Sequence, residues 1–342
     1  MKELWHDGVV YGETVMFAGS RTGKLMFPAE KIIRVENPCT GKVYIEGKDF
    51  CYTPGSAEIT LPDFSAVPCF SESDIHPSGS VVRLRPDPCA NAIEGAVDGG
   101  FLMFTESGWF AENQVDVTYR AANIDVDFLP YNERIPHLRK MLAGGENIRI
   151  TLIGDSISVG CNSTKFMQKT PFEPFYMERI CDFLTEKYGS AVTLKNRAIG
   201  GTGILQAENI KKEYHADHAD LLAIAYGMNN FARTPVAEFL AELQKIIDEN
   251  RQVNPACEYL IISPMSGNPL WKATEPGNDF IYAEKLREFA ANAPEDIIFA
   301  DVNKVWQIFM KRKGFYSLTG NGVNHPNDYG HRIYAAVLQT LF

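Results

Sequence analysis

Ile148-Arg-Ile-Thr-Leu-Ile153 runs directly into Gly154-Asp155-Ser156, and this junction decides the fold. A short aliphatic run that stops at a Gly/Asp/Ser breaker reads as a buried strand ending in a turn. Four more runs of the same kind follow, at Val192–Asn196, Leu221–Tyr226, Tyr259–Ser263 and Ile297–Val302. Helix-length amphipathic segments separate them, at roughly 174–188, 204–216, 235–252 and 280–292, with a last one at 328–341. Pro235 suits the opening of its helix, where a missing N–H costs nothing. Strands alternating with helices form βαβ units, so the reading is α/β: a three-layer α/β/α arrangement around a parallel sheet. In such sheets ligands bind beyond the carboxyl ends of the strands, which directs attention to the strand-end loops.

Upstream of this region the punctuation changes. Short β-rich runs (Thr14–Phe17, Lys31–Val35, Lys42–Ile45, Ala57–Leu61, Val81–Leu84, Phe101–Phe104 and Val115–Tyr119) alternate with Gly, Pro and Asn turns. Val115-Asp-Val-Thr-Tyr119 has the apolar/polar alternation of a strand with one buried face. The expected organisation is a β-sandwich domain over 1–134, then a catalytic α/β domain over 135–342.

At 342 residues, with 45% hydrophobic and 22% charged residues, the chain can build a sizeable core. Lys and Arg number 33 against 43 Asp and Glu, a net charge of −10, which speaks against nucleic acid or an anionic membrane as partner. Apolar runs such as Leu221–Tyr226 are too short to cross a bilayer. Glu3, His6 and Asp7 fall where a secretion signal would be apolar, so a cytoplasmic chain is expected. The seven cysteines (39, 51, 69, 89, 161, 181 and 257) form no CxxC pair, which reads as reduced structural thiols. His215 and His218 could share a helix face at i, i+3, but no carboxylate context completes a metal site; neither metal nor cofactor is expected.

Four strand-end pieces carry chemistry. A serine directly after the first strand and before a helix, as at Ser156, exposes its hydroxyl near backbone N–H groups that can stabilise an oxyanion. A plain helix cap is the simpler reading of that tripeptide alone. After the second strand comes Asn196-Arg-Ala-Ile-Gly-Gly201-Thr-Gly203, whose glycines let backbone N–H groups approach a ligand closely. After the third comes Gly227-Met-Asn229-Asn230, where an Asn can donate into the same pocket. Near the C-terminus stands Asn324-His325-Pro326-Asn327-Asp328, and a histidine suits the base that deprotonates a serine.

In this order the four pieces resemble the SGNH/GDSL hydrolase family, over roughly residues 147–342. The resemblance implies that Ser156 is the nucleophile and His325 the base. It also implies an oxyanion hole of Ser156 N–H, Gly201 N–H and the Asn229 side chain, with Asp155 a structural partner of the nucleophile loop. One departure stands out. The family usually places an Asp three residues before the histidine, and here that position is Gly322. The group orienting His325 is therefore expected to be Asn321, Asn324, a backbone carbonyl or Asp328, with a Ser–His dyad the favoured reading.

By resemblance the chain is expected to be a serine esterase removing short acyl groups, O-acetyl foremost, from a small-molecule or oligosaccharide ester. A lysophospholipase or thioesterase would need an apolar channel, for which Phe166, Met167, Phe172, Phe175 and Phe231 are the candidates. A catalytically weak carbohydrate-binding protein is the third expectation, encouraged by the missing acid.

Overall fold

The structure, a computed structural model, describes residues 3–84, 90–126, 134–274 and 277–342. Cys89 and the linker just before Arg134, where the domain boundary is expected, lie outside them. The N-terminal part is built on an antiparallel sheet. Its principal strands are β1 (Val9–Val15), β2 (Thr22–Asn37), β3 (Lys42–Tyr44) and β4 (Ser56–Thr60). A hairpin, β5 (Ala92–Glu94) and β6 (Phe101–Met103), stands apart, and β7 (Val115–Ala121) returns to the centre of the sheet. The order is β1-β7-β2-β4, with β3 pairing on β2 and two-residue strands at either edge. Alternation in β7 places Val115, Val117, Tyr119 and Ala121 on the buried face, as a period of two requires. The long strand β2 absorbs Pro28 at a register shift between Lys24 and Ala29, where a residue without an N–H breaks no regular ladder. Val81–Leu84, expected as a strand, is a 3₁₀ turn followed by an isolated bridge from Leu84 to Ala92.

The C-terminal part is a five-stranded parallel sheet of β8 (Ile148–Gly154), β9 (Val192–Asn196), β10 (Leu221–Ala225), β11 (Glu258–Ile262) and β12 (Ile297–Ala300). Their order is β9-β8-β10-β11-β12. The chain thus moves one way from β8 to β9 and the other way from β9 to β10. Right-handed crossovers then put helices on both faces. The helices are α1 (Pro136–Ala143), the single turn α2 (Ser156–Val159), α3 (Tyr176–Tyr188), α4 (Lys211–Ala216), α5 (Val236–Val253), α6 (Asn278–Asn292), α7 (Val302–Lys313) and α8 (Asp328–Gln339). Segment 204–216 differs from expectation, because Ile204–Ile210 is 3₁₀ and only α4 is α-helical. Among the described residues no helix is long and apolar enough to cross a membrane.

The two parts share one continuous core that runs from Leu4 to Phe342. Val302, Trp306 and Phe309 form the buried stripe of α7, spaced i, i+4, i+7. Against it lies the N-terminal sheet: Trp5 stacks on Phe309 with ring centroids 6.4 Å apart and meets Phe27 edge-on at 5.0 Å. At the end of α7 the Lys313 ammonium pairs with the Glu13 carboxylate of β1, both side chains wholly buried. Glu13 is further held by Tyr119 Oη (2.7 Å) and Met26 N–H (2.7 Å), so the buried ion pair has its remaining lone pairs satisfied.

Candidate active site

β8 is flanked by β9 and β10, so its carboxyl end is the point where the strand order reverses and a crevice opens. Gly154 ends the strand because nothing larger fits: a Cβ there would lie 2.6 Å from Ser158 Oγ and 2.7 Å from the Ala225 carbonyl of β10. Asp155 then caps α2, its Oδ1 accepting from Ile157 N–H at 3.0 Å. The same carboxyl takes a hydrogen bond from the Met228 backbone, which ties the loop after β10 to the Ser156 loop. Burial raises the Asp155 carboxyl to about 7, against the pull of these backbone donors.

Ser156 is the first residue of α2, its side chain nearly enclosed. The glycine turn after β9 comes up beside it, close enough that a Cβ on Gly200 would sit 3.8 Å from Ser156 Cβ. Asn196 fastens the base of this turn, donating to Ser158 O at 2.8 Å and accepting from Ala198 N–H at 3.0 Å. Asn229 bridges to the same turn, with Nδ2 donating to Thr202 O at 3.0 Å. An amide carries two N–H donors, so a second one is present for the crevice. Asn230 is buried and holds Ile204 N–H (3.2 Å) and Thr234 Oγ1 (3.0 Å), fixing the shape of both loops.

His325 completes the group. It is 4% exposed, with Nε2 2.8 Å from Ser156 Oγ and Nδ1 2.7 Å from Asn162 Oδ1. The tautomer follows from the next bond outward. Asn162 Nδ2 donates to the Gly320 carbonyl at 3.1 Å, and a carbonyl can only accept. Asn162 therefore presents its oxygen to Nδ1, Nδ1 bears the proton, and the Nε2 lone pair faces the serine hydroxyl. Asn162 reaches this position with φ +64, a left-handed conformation that Asn adopts more readily than most residues.

The residues expected to orient His325 are engaged elsewhere. Asn321 Oδ1 accepts from the N–H groups of Val323 (3.0 Å), Asn324 (3.0 Å) and His325 (3.1 Å), while its Nδ2 donates to Asn324 Oδ1 (2.9 Å). The two asparagines thus build the histidine loop without touching the ring through these bonds. Asp328 turns away to bind Thr164, through its N–H (2.8 Å) and hydroxyl (2.7 Å). Nor does Asp328 cap α8; that falls to Asn327, whose Oδ1 accepts from Gly330 N–H at 2.9 Å. Burial raises the Asp328 carboxyl to about 6. Sequence reasoning missed Asn162 because it stands 163 positions from His325; an Asn two residues past the helix-ending Gly160 was the one visible signal.

Of the five apolar residues named for an acyl channel, Phe166 and Phe175 border one open cavity, whose lining also includes Ser163, Lys165, Glu178 and Asn196. Phe175 and Phe231 are buried in the core, whereas Phe166 and Phe172 are about half exposed, at 51% and 49%. His215 lies in the last turn of α4, which ends at Ala216, and His218 lies beyond it in a turn with φ +46, so they do not share a helix face. Among the described residues no three His, Cys, Asp or Glu side chains gather as a metal site would need. The six described cysteines are free thiols.

The GDSL-like Lipase/Acylhydrolase family matches the chain over residues 152–333, which holds the loops of Ser156, Gly201, Asn229 and His325. Similar solved structures include a mutant of Axe2, an acetyl-xylooligosaccharide esterase from Geobacillus, at 19% identity and TM-score 0.47, covering 57% of this chain and 93% of that one. Another is a two-domain esterase active on acetylated mannans, at 17% identity and TM-score 0.47, covering 61% and 53%. A third is the lipase Lip_vut3 from a goat rumen metagenome, at 16% identity and TM-score 0.45, covering 56% and 96%. No curated protein matches the chain.

Proposed function

The chain belongs to the GDSL-like lipase/acylhydrolase family and is a hydrolase of ester bonds, and we propose that it removes short acyl groups, acetyl foremost, from a sugar hydroxyl. The observation that carries the chemistry is the linear relay Ser156 Oγ, His325 Nε2, His325 Nδ1, Asn162 Oδ1, with steps of 2.8 and 2.7 Å. In this reading Ser156 Oγ attacks the ester carbonyl carbon while its proton passes to Nε2. The carbonyl oxygen, now negative, rests on Ser156 N–H, Gly201 N–H and the free N–H of the Asn229 amide. The tetrahedral intermediate collapses, the alcohol leaves with the proton from Nε2, and an acyl group remains on Ser156. Water then repeats the sequence from the other side, with His325 again the base, and releases the acid.

Asn162 in this scheme fixes the ring and its tautomer but, being neutral, gives the imidazolium less charge stabilisation than aspartate would. The short acyl group is favoured over the lipolytic alternative because the cavity that Phe166 and Phe175 share is walled largely by polar and charged residues, Lys165, Gln168, Glu178 and Asp182 among them, and its lining does not include Ser156 or His325. A polar alcohol is favoured by the polar rim on the His325 side, where Glu106 is 47% exposed and Asn324 half-buried. A binding protein with a dead site is disfavoured by the 2.8 Å serine–histidine contact.

Chain-length profiling with p-nitrophenyl esters, followed by a screen of acetylated mono- and oligosaccharides with Ser156→Ala as the blank, tests the reading. Acetate should be preferred and acetylated sugars turned over. A preference for octanoate would transfer the protein to the lipolytic alternative.

A further inference from the structure

The position at which the resemblance expects an aspartate is filled from the N-terminal part of the chain. Gly322 has φ +87, and a Cβ there would run into the Met103 carbonyl at the end of β6 and lie 2.7 Å from Phe110 Cζ. Thr105, two residues beyond Met103, donates its N–H to the Asn321 carbonyl at 3.2 Å. From the other side Asn268, in the loop after β11, donates its N–H to Val323 O (2.7 Å) and its Nδ2 to Gly322 O (2.9 Å). The histidine loop is therefore clamped between the two parts of the molecule. The next residue of the N-terminal segment is Glu106, whose Oε1 lies 4.0 Å from His325 Nδ1.

We infer that Glu106, carried in by the N-terminal part, is the carboxylate that stabilises the His325 imidazolium, so that the aspartate's two duties are divided between two residues. This rests on the serine esterase reading. Asn162 occupies the hydrogen bond on Nδ1 and sets the tautomer; Glu106 supplies negative charge through space from just beyond hydrogen-bonding distance. When the Ser156 proton moves to Nε2, the ring becomes cationic and its Nδ1 edge faces both groups. Glu106 is thus a positioning residue that acts through His325, and its half-exposed carboxylate is partly screened by water.

The titratable groups on the elements packed around the ring are of a different kind. The Cys161 thiol is pushed up to about 12 by burial, and His331, on α8, is pushed down to about 3 by the same cause. Asp155 stands at about 7 and is committed to Ile157 and Met228 N–H groups. Glu106 is the carboxylate within ion-pairing distance of Nδ1 among the described contacts. This division also accounts for the clamp at Gly322, because the N-terminal part must sit tightly on the histidine loop for Glu106 to reach it.

The test is an NMR titration of the His325 imidazole in the full chain, assigned by comparison with His325→Ala, in wild type and in Glu106→Gln, Glu106→Asp and Glu106→Lys. Loss of the carboxylate removes stabilisation of the cation, so Glu106→Gln should lower the imidazole pKa by about one pH unit. Glu106→Lys should lower it further, and Glu106→Asp should restore part of it. In p-nitrophenyl acetate hydrolysis the acid limb of kcat/KM should move in step, with kcat about tenfold lower and KM little changed. A Glu106→Gln titration and rate superimposable on wild type would overturn the inference while leaving the esterase reading intact. A wild type that turns over no aryl acetate and takes up no fluorophosphonate would overturn the esterase reading, and the inference with it.

Discussion

One side chain beside His325 accepts one hydrogen bond and donates another. Asn162 is oriented by the Gly320 carbonyl, and that orientation alone decides which nitrogen of His325 carries a proton. Asn162→Ala should therefore lower kcat for p-nitrophenyl acetate by about 10²-fold or more with little change in KM, because the ring loses both its hold and its tautomer preference. Asp328→Asn, by contrast, should cost less than about tenfold in kcat/KM, under roughly 1.4 kcal/mol, since its carboxylate serves Thr164 and not the ring. A thousandfold loss with the fold intact would return Asp328 to the role of acid. Asn229→Ala should lower kcat by about 10²–10³ while KM stays near its wild-type value. A pure KM effect would move Asn229 out of the oxyanion hole and into substrate binding.

At the scale of elements, the site is a set of strand ends brought to one crevice, and this much was legible in the sequence. The five parallel strands announced themselves as aliphatic runs, and the bounds expected for them agree with the structure to within about two residues. α7 was not anticipated, although Val302, Trp306 and Phe309 carry a helical period, because the run Ile297–Val302 read through the turn at Asp301 that caps the helix. α2 is a single turn, too short to leave a periodic signal. What brings Asn162 and Glu106 to His325 is tertiary: the packing of a loop after α2 and of a segment after β6 onto one histidine loop, at sequence separations of 163 and 219, leaves no local trace. The same packing makes a prediction. Gly322→Asp, which would restore the family pattern in sequence, should not restore a triad. With positive φ and the Met103 carbonyl and Phe110 ring against it, the substitution should lower the melting temperature and activity together. A stable, faster enzyme would show that the loop can reopen and that the clamp is not rigid.

At the scale of the whole molecule, the two parts are joined by a core and by buried charge rather than by a linker alone. A chain beginning near Arg134 would expose the α7 stripe and leave Lys313 without Glu13, so it should be insoluble or unfolded. A soluble, active fragment would contradict the shared core. Lys313→Met in the full chain leaves the Glu13 carboxylate buried and unpaired and should cost about 3–5 kcal/mol in denaturant unfolding. Among the described residues burial also raises five carboxyls in the folded state: Asp155 and Asp116 to about 7, Asp328 to about 6, and Glu258 and Asp279 above their ordinary values. Between pH 4 and 7 the folded protein keeps protons that the unfolded chain has released, so unfolding releases protons and a rise in pH favours it. The stability these groups contribute is full below pH 4 and is lost as pH rises through their folded values. Melting should accordingly be higher near pH 6 than at pH 8, and Asp116→Asn should flatten the difference. A melting temperature that climbs steadily from pH 6 to 8 would mean that these carboxyls are ionised in the fold.

In the proposed mechanism Ser156 is an activated nucleophile switched on by His325. Fluorophosphonate labelling read by intact mass and peptide mapping tests it without knowledge of the substrate. One adduct on Ser156 in the wild type, absent in Ser156→Ala and strongly slowed in His325→Ala, is the expected result. No adduct, or an adduct that survives either substitution at the wild-type rate, would mean that Ser156 is not activated by His325.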